Sequence, residues 1–235
     1  MMFLETNYLY FILLAFTLSY PLAQSFEKRI KLYTKFKYIA ISILTVLFVF
    51  IPWDIYFTHQ GVWWFNNSYI RGITLFNLPI EEVLFFVIVP FACVFIYEVL
   101  NYFIKKDIFK LLARPLSAIM SIILLLLSYV YLDNLYTFIC FSITGITLLT
   151  AVVINPKWLS RFLLAYIVSL LPFLLINGIL TGCFIASPIV NYNPNEIIGL
   201  RIITIPIEDF VYNLLMFLIL IGVYEKSSSF YQLKS

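Results

Sequence analysis

Long apolar runs separated by short polar segments dominate this chain. Seven of these runs come close to the length that an α-helix needs to cross a bilayer: Tyr8–Ala23, Tyr38–Phe57, Pro79–Leu100, Arg114–Leu132, Leu135–Ile154, Phe162–Leu180 and Ile205–Val223. Hydrophobic residues make up 63% of the 235 residues and charged residues only 11%. A soluble domain of this size could not bury so much apolar surface. The sequence therefore predicts an all-α polytopic membrane protein with about seven transmembrane helices.

Basic residues are concentrated on alternate loops between the apolar runs. All but Arg71 and Arg201 lie in the first, third and fifth loops or in a C-terminal tail that holds Lys226 and Lys234. Because loops rich in Lys and Arg stay in the cytoplasm, we expect a multi-pass protein of the cell membrane with its N-terminus outside and its C-terminus cytoplasmic. The net charge of +3 follows from this bias, so no nucleic-acid partner is expected.

One short motif occurs twice, as Pro79-Ile80-Glu81-Glu82 and as Pro206-Ile207-Glu208-Asp209. We call the distance along the chain from Pro79 to Pro206 the repeat spacing. The match continues without a gap to flanking positions at this same spacing, which pair Phe65-Asn66 with Tyr192-Asn193, Gly72 with Gly199 and Phe85 with Tyr212. This repeat predicts two parallel three-helix units, residues 1–110 and 134–235, joined by a connector helix in residues 111–133. An even number of crossings separates the motifs, so both would lie on the non-cytoplasmic side.

The repeated motif places adjacent carboxylates at the start of an apolar helix. Proline followed by acidic residues is also an ordinary way to begin a helix, but charge at membrane depth is costly and marks functional sites. Two aligned copies favour a site, and we expect an acid–base set made of Glu81, Glu82, Glu208 and Asp209. Neighbouring residues point about 100° apart around a helix, so one acid of each pair can enter a pocket while the other caps or supports it. Glutamine at Glu81 or Glu208 is expected to abolish activity.

Further polar and aromatic residues are expected on the same face as these acids. The candidate substrate-binding residues are Asp54, Trp63, Trp64, Phe65, Asn66, Phe85, Asn177, Asn191, Tyr192 and Tyr212. Their rings can anchor the protein at the membrane interface or stabilise a carbocation. The single histidine, His59, has no partner at ligand spacing, so no histidine-based metal site is expected. Glu98 is expected near Lys105, with a structural role.

Six segments together resemble the small integral-membrane lycopene cyclases, which occur as two short subunits or as one fused chain. They are Pro52–Asp54, Gly61–Asn66 and Leu78–Phe86 in the first half, and Asn177–Thr181, Pro188–Tyr192 and Ile205–Tyr212 in the second. The resemblance covers nearly the whole chain and implies an enzyme of carotenoid biosynthesis. It would be an isomerase, or intramolecular lyase, that converts the linear ψ-ends of lycopene to β-rings by acid–base chemistry without a cofactor.

Several alternatives stay open beside this resemblance. A carotenoid hydratase would add water to the same carbocation, and a proton-coupled transporter could also use parallel repeats with intramembrane acids. Asp-rich motifs for a Mg²⁺-diphosphate group and a Gly-x-Gly-x-x-Gly fingerprint do not occur, which disfavours a prenyltransferase and a bound dinucleotide. The expected partners are lycopene and the lipid bilayer. Homo-oligomerisation, association with other carotenoid enzymes, the ring type and the number of rings are left open.

Overall fold

Seven α-helices form the protein in a computed structural model that describes residues 6–232. They are α1 (Leu9–Gln24), α2 (Phe36–His59), α3 (Ile80–Phe103), α4 (Ala113–Val130), α5 (Leu135–Ile154), α6 (Leu159–Leu180) and α7 (Ile207–Gln232). Each predicted span coincides with one helix, although α7 continues past the predicted end at Val223. Lys234, which contributed to the predicted orientation, lies outside the described residues.

Six of the helices in residues 6–232, α2 to α7, are long and apolar enough to cross a membrane. The first helix, α1, has 16 residues and a length of about 24 Å, which is less than the apolar thickness of a typical bilayer. The predicted class, an all-α polytopic membrane protein, is confirmed. The first predicted span is shorter than the other six.

Six short strands lie in the segments that connect α2 to α3 and α6 to α7. They are β1 (Trp63–Phe65), β2 (Thr74–Leu75), β3 (Leu78–Pro79), β4 (Val190–Tyr192), β5 (Arg201–Ile202) and β6 (Ile205–Pro206). β2 and β3 form a hairpin directly before α3, and β5 and β6 form one directly before α7. Phe76 and Ile203, which are separated by the repeat spacing, adopt positive φ angles of 50° and 61° in the two turns. The repeat seen in the sequence is thus repeated in the backbone.

Strands β1 and β4 join the two halves of the chain. They pair antiparallel, with Trp64 opposite Asn191 at the centre of the register. Asn191 is also the residue that follows Trp64 by the repeat spacing. A two-fold axis produces such a contact, in which a segment meets its own counterpart. The register therefore supports an approximate two-fold relation between the halves.

Helix packing follows the same relation. Within the first half α1 packs against α3, and within the second α5 packs against α7; between the halves α2 packs against α7, and α3 against α6. The remaining helix, α4, packs mainly against α5. Buried apolar residues of α2, α3, α5, α6 and α7 form one large core. This packing supports the predicted units at residues 1–110 and 134–235 with the connector at 111–133, and the boundaries of these units stay a prediction.

Candidate active site

A cavity lies where α3 and α7 begin, and we call it the acidic chamber. Nine of the residues predicted from the sequence line it: Asp54, Trp63, Phe65, Glu82, Phe85, Asn177, Tyr192, Asp209 and Tyr212. The hairpins β2–β3 and β5–β6 set the starts of α3 and α7, and so place Glu82 and Asp209 in the first turn of their helices. The repeat therefore brings one carboxylate from each half of the chain into the same cavity.

Glu82 and Asp54 form a pair of carboxyl groups within the chamber. Both residues are buried and line the same cavity. The Tyr10 hydroxyl donates to Glu82 Oε2 at 2.6 Å, and the Tyr212 hydroxyl donates to Asp54 Oδ1 at 2.7 Å. Two buried carboxyl groups in one cavity repel each other when both are ionised, which favours one proton on the pair. This pair can therefore act as a proton store.

Asp209 has a different environment, made of neutral donors. Its Oδ1 accepts from the Tyr136 hydroxyl at 2.9 Å, and its Oδ2 accepts from the Tyr192 hydroxyl at 2.7 Å and from Asn177 Nδ2 at 3.2 Å. Tyr192 lies on β4, outside the helices; burial and the neighbouring Asp209 charge raise its pKa well above the usual value, so its hydroxyl keeps the proton that it donates. Three donors favour the ionised form of a carboxyl group. Asp209 is therefore arranged as an acceptor.

Glu81 and Glu208, the first acids of the two motifs, are buried but are not among the residues that line the chamber. Glu81 Oε1 accepts from the backbone N–H of Arg71 at 2.8 Å, and Glu208 Oε1 accepts from that of Ile198 at 2.7 Å. Arg71 and Ile198 are themselves separated by the repeat spacing. Thr137 Oγ1 adds a second hydrogen bond to Glu208, at 2.7 Å. These two acids tie the connecting segments to the starts of α3 and α7, whereas the second acid of each motif reaches the cavity.

Aromatic rings form one wall of the chamber. Trp63 contacts Tyr136 edge-on with ring centroids 5.1 Å apart, and Tyr136 stacks on Tyr192 at 6.2 Å. Tyr212 lies 6.3 Å from Trp63 and 6.2 Å from Tyr136. The faces of such rings attract positive charge. A carbocation formed beside Glu82 or Asp209 would therefore meet aromatic faces rather than bulk water.

Three of the predicted substrate-binding residues do not line the chamber. Trp64 is 49% exposed, and Asn191, its partner across β1 and β4, lies with it beside a surface depression. Asn66 Nδ2 donates to Ser187 Oγ at 2.9 Å. Side chains alternate between the two faces of a strand, so Trp63 and Phe65 point into the chamber and Trp64 points away. Trp64, Asn66 and Asn191 therefore do not line the chamber, and their role in substrate binding stays a prediction.

The sequence analysis missed two residues that hold the carboxylates, Tyr10 and Tyr136. Each stands in the first turn of its helix, α1 or α5, and each follows a leucine, so that Leu9-Tyr10 recurs as Leu135-Tyr136. These two pairs are one position closer together than the repeat spacing. This shift hides the match from a search at a single fixed spacing, and a search that tolerated it would have revealed both tyrosines.

A metal ion would need a cluster of ligating side chains in this region. Among residues 6–232, His, Cys, Asp and Glu side chains do not form a group of three or more that could hold such an ion. The hydrogen-bond partners of the chamber carboxyls are phenol hydroxyls and an amide. Carboxyl groups and hydroxyls in such contact can exchange protons.

Comparison with known proteins identifies relatives. A family model described as "Lycopene cyclase" matches residues 7–100 and 133–227. The matched ranges contain both motifs and leave out α4. The chain is also similar to two proteins named "Bifunctional lycopene cyclase/phytoene synthase". One, from Leptosphaeria maculans, is 36% identical over 63 residues, and one, from Colletotrichum graminicola, is 38% identical over 62 residues.

These alignments cover only a small part of this chain and of each relative. They cover 27% and 26% of this chain, and this chain spans about 11% of the length of each of the two relatives. No solved structure matches the chain significantly. The family match thus covers most of the chain, and the likeness to the longer relatives covers one part.

Proposed function

The chain belongs to the lycopene cyclase family, and from this membership we propose that its acidic chamber cyclises the linear ψ-ends of lycopene to β-rings. The observation that carries the proposal is the placement of two buried carboxyl groups, Asp54 and Glu82, in the same cavity as Asp209, which accepts three hydrogen bonds. Cyclisation needs an acid, a base and an enclosed space, and the chamber offers all three. No cofactor takes part in this chemistry.

The proposed reaction begins with a proton from the Asp54–Glu82 pair. This proton adds to the terminal double bond of a ψ-end and leaves a tertiary carbocation. The neighbouring double bond attacks that carbon, which closes the ring and moves the positive charge onto the ring. Asp209 then removes a proton from the ring carbon next to the cation, and the ring alkene forms. One proton enters and one leaves, so the product is an isomer of the substrate.

Proton transfer by positioned side chains typically accelerates a reaction by about 10²–10⁴-fold. The wall formed by Trp63, Tyr136, Tyr192 and Tyr212 would stabilise the intermediate cation. Exclusion of water from the chamber would protect that cation from capture as an alcohol. We therefore assign the catalytic acid to the Asp54–Glu82 pair and the base to Asp209, with Glu81 and Glu208 as positioning residues.

We further propose the predicted orientation for this multi-pass protein, with the N-terminus outside and the acidic chamber near the non-cytoplasmic surface. The distribution of Lys and Arg supports this orientation. A carotenoid substrate would reach the chamber from the bilayer itself. Association with a second copy or with other carotenoid enzymes remains a proposal, and crosslinking in membranes followed by mass spectrometry would test it.

The test of the proposed function is pigment analysis in a lycopene-accumulating bacterial host that expresses the full chain. A product of unchanged mass with one or two β-rings is expected. A product heavier by one water molecule would show a hydratase instead. Unchanged lycopene in cells whose membranes contain the protein would overturn the proposal and favour a transporter.

A further inference from the structure

A second cavity adjoins the acidic chamber. Phe85, Phe173, Asn177 and Asn213 line both cavities. The second cavity runs between α1 and α6 along one face of α3, and we call it the apolar groove. The two cavities therefore lie side by side, with these four side chains at their junction.

The α3 side of the apolar groove follows helical spacing. Phe85, Val89, Ala92 and Ile96 line it, at intervals of three or four residues that place them on one face of the helix. From Phe85 to Ile96 the helix rises by about 16 Å. The groove is therefore long and narrow, and its axis leads away from the carboxylates towards the middle of the apolar layer.

The apolar groove differs from the acidic chamber in the polarity of its lining residues. No Asp, Glu, Lys, Arg or His occurs among its lining residues, which are mostly aliphatic or aromatic. Several of them are only half-buried, and Pro172 of α6 is exposed, so the groove borders the surface that faces lipid. An occupant must then be an apolar chain that arrives from the bilayer.

One polar atom at the junction of the two cavities lacks a partner. Asn213 is 5% exposed, and its Nδ2 makes no hydrogen bond within the described residues. A buried donor without an acceptor is costly. The π-electrons of a polyene offer a weak acceptor to an N–H group, so a conjugated chain that passes from groove to chamber would reduce this cost.

We infer that the apolar groove binds the polyene chain of the carotenoid while one ψ-end reacts in the acidic chamber. This inference rests on the proposed function and extends it. The chamber alone accounts for the reacting end, whereas the rest of a carotenoid is a long, rigid and wholly apolar chain. The groove gives that chain a place next to the reacting carbons and at the surface that faces lipid.

The experiment fills the groove without touching the chamber. Ala92→Trp places a large ring in the groove, and Ala15→Trp, on an exposed position of α1, is the matched control because the same substitution faces lipid. Ring formation is measured in the lycopene-accumulating host per amount of membrane-inserted protein. Ala92→Trp should lower it by about tenfold or more through steric exclusion, and Ala15→Trp should leave it unchanged. Ala92→Leu, a smaller change, replaces Ala92→Trp if that variant does not accumulate.

A binding measurement separates this inference from the proposed function. In the Glu82→Gln background, which should not form rings, lycopene that remains with the purified protein is quantified with and without Ala92→Trp. Loss of bound pigment with Ala92→Trp, but not with Ala15→Trp, supports the groove. Equal ring formation and equal pigment retention in the two tryptophan variants would overturn the groove inference and leave the proposed function intact. Absence of rings with the unmodified chain would refute the proposed function, and pigment retention would still decide whether the groove binds the polyene.

Discussion

The two ends of helices α3 and α7 use the same side-chain types in different ways. At the ends where both helices begin, tyrosines and carboxylates surround the acidic chamber. Near the opposite ends, Tyr97-Glu98 of α3 recurs as Tyr224-Glu225 of α7, again at the repeat spacing. The Tyr97 hydroxyl donates to Glu225 at 2.5 Å, and the Tyr224 hydroxyl donates to Glu98 at 2.5 Å. We call this reciprocal pair of hydrogen bonds the tyrosine–glutamate clamp.

A cation completes the clamp. Lys35 Nζ lies 2.5 Å from Glu98 Oε2, so the ion-pair partner of Glu98 is a lysine that precedes α2. That Lys105 lies near Glu98 stays a prediction. The clamp side chains bond directly to one another across the two helices, whereas those of the chamber enclose a space. A tyrosine–carboxylate pair is thus a structural contact by itself. A tyrosine–carboxylate pair can take part in proton transfer where a second carboxyl group and a cavity lie beside it.

The largest expected difference between the two ends follows from removal of a carboxylate. Asp209→Asn, or Glu82→Gln, should lower ring formation by about a hundredfold or more because the base or the proton store is lost. Glu225→Gln, at the clamp, is the matched control and should retain ring formation per amount of membrane-inserted protein. Pigment chromatography of the three variants measures this. Equal losses at both ends would show that the carboxylates act only through stability.

Removal of one tyrosine hydroxyl from each end should give a smaller contrast. Tyr136→Phe deletes one of the three hydrogen bonds to Asp209, and a hydrogen bond to a charged group contributes about 1.5–3 kcal/mol. Ring formation should fall by about tenfold. Tyr97→Phe should leave the rate unchanged and lower the thermal unfolding midpoint in detergent. A rate loss in Tyr97→Phe equal to that in Tyr136→Phe would contradict the comparison.

Glu81 tests the comparison of the two helix ends. It lies at the end of α3 that borders the acidic chamber, but its hydrogen bond is a structural contact, like those of the clamp. Glu81→Gln keeps an oxygen that can accept from the backbone N–H of Arg71. Ring formation should stay within about threefold of the unmodified chain, since the substitution keeps the hydrogen bond that positions the start of α3. This outcome differs from the complete loss expected from the sequence. Abolished ring formation in a stable Glu81→Gln protein would return Glu81 to the catalytic set.

The smallest expected effect concerns the cation of the clamp. Lys35→Met leaves Glu98 with the Tyr224 hydroxyl as its remaining partner in the clamp and should lower the free energy of unfolding by about 1 kcal/mol, as expected for a partly exposed ion pair. Ring formation per folded protein should not change. Lys28→Met, at an exposed position of the same loop, is the control and should have no effect on unfolding. A change in product or rate with Lys35→Met would connect the clamp to the chemistry.

The sequence could predict the parts of this protein that depend on local pattern. Apolar runs of helical length indicated all seven helices, because burial in lipid demands continuous apolar surface and an internally bonded backbone. The repeat spacing pointed to the paired carboxylates and to their common end of the molecule. Asp54 and Tyr212 were also found, since their positions relative to the motifs placed them on the same side.

The tertiary structure decided the direction of each side chain and its partner. Helical geometry sets the angle of about 100° between Glu81 and Glu82, but the rotation of α3 against its neighbours determines which of them meets the cavity. The same holds for Trp64, which the pairing of β1 with β4 turns outward, and for Tyr10, which the packing of α1 against α3 brings to Glu82. Such contacts join residues that are distant in the chain, and they depend on packing that no local pattern encodes.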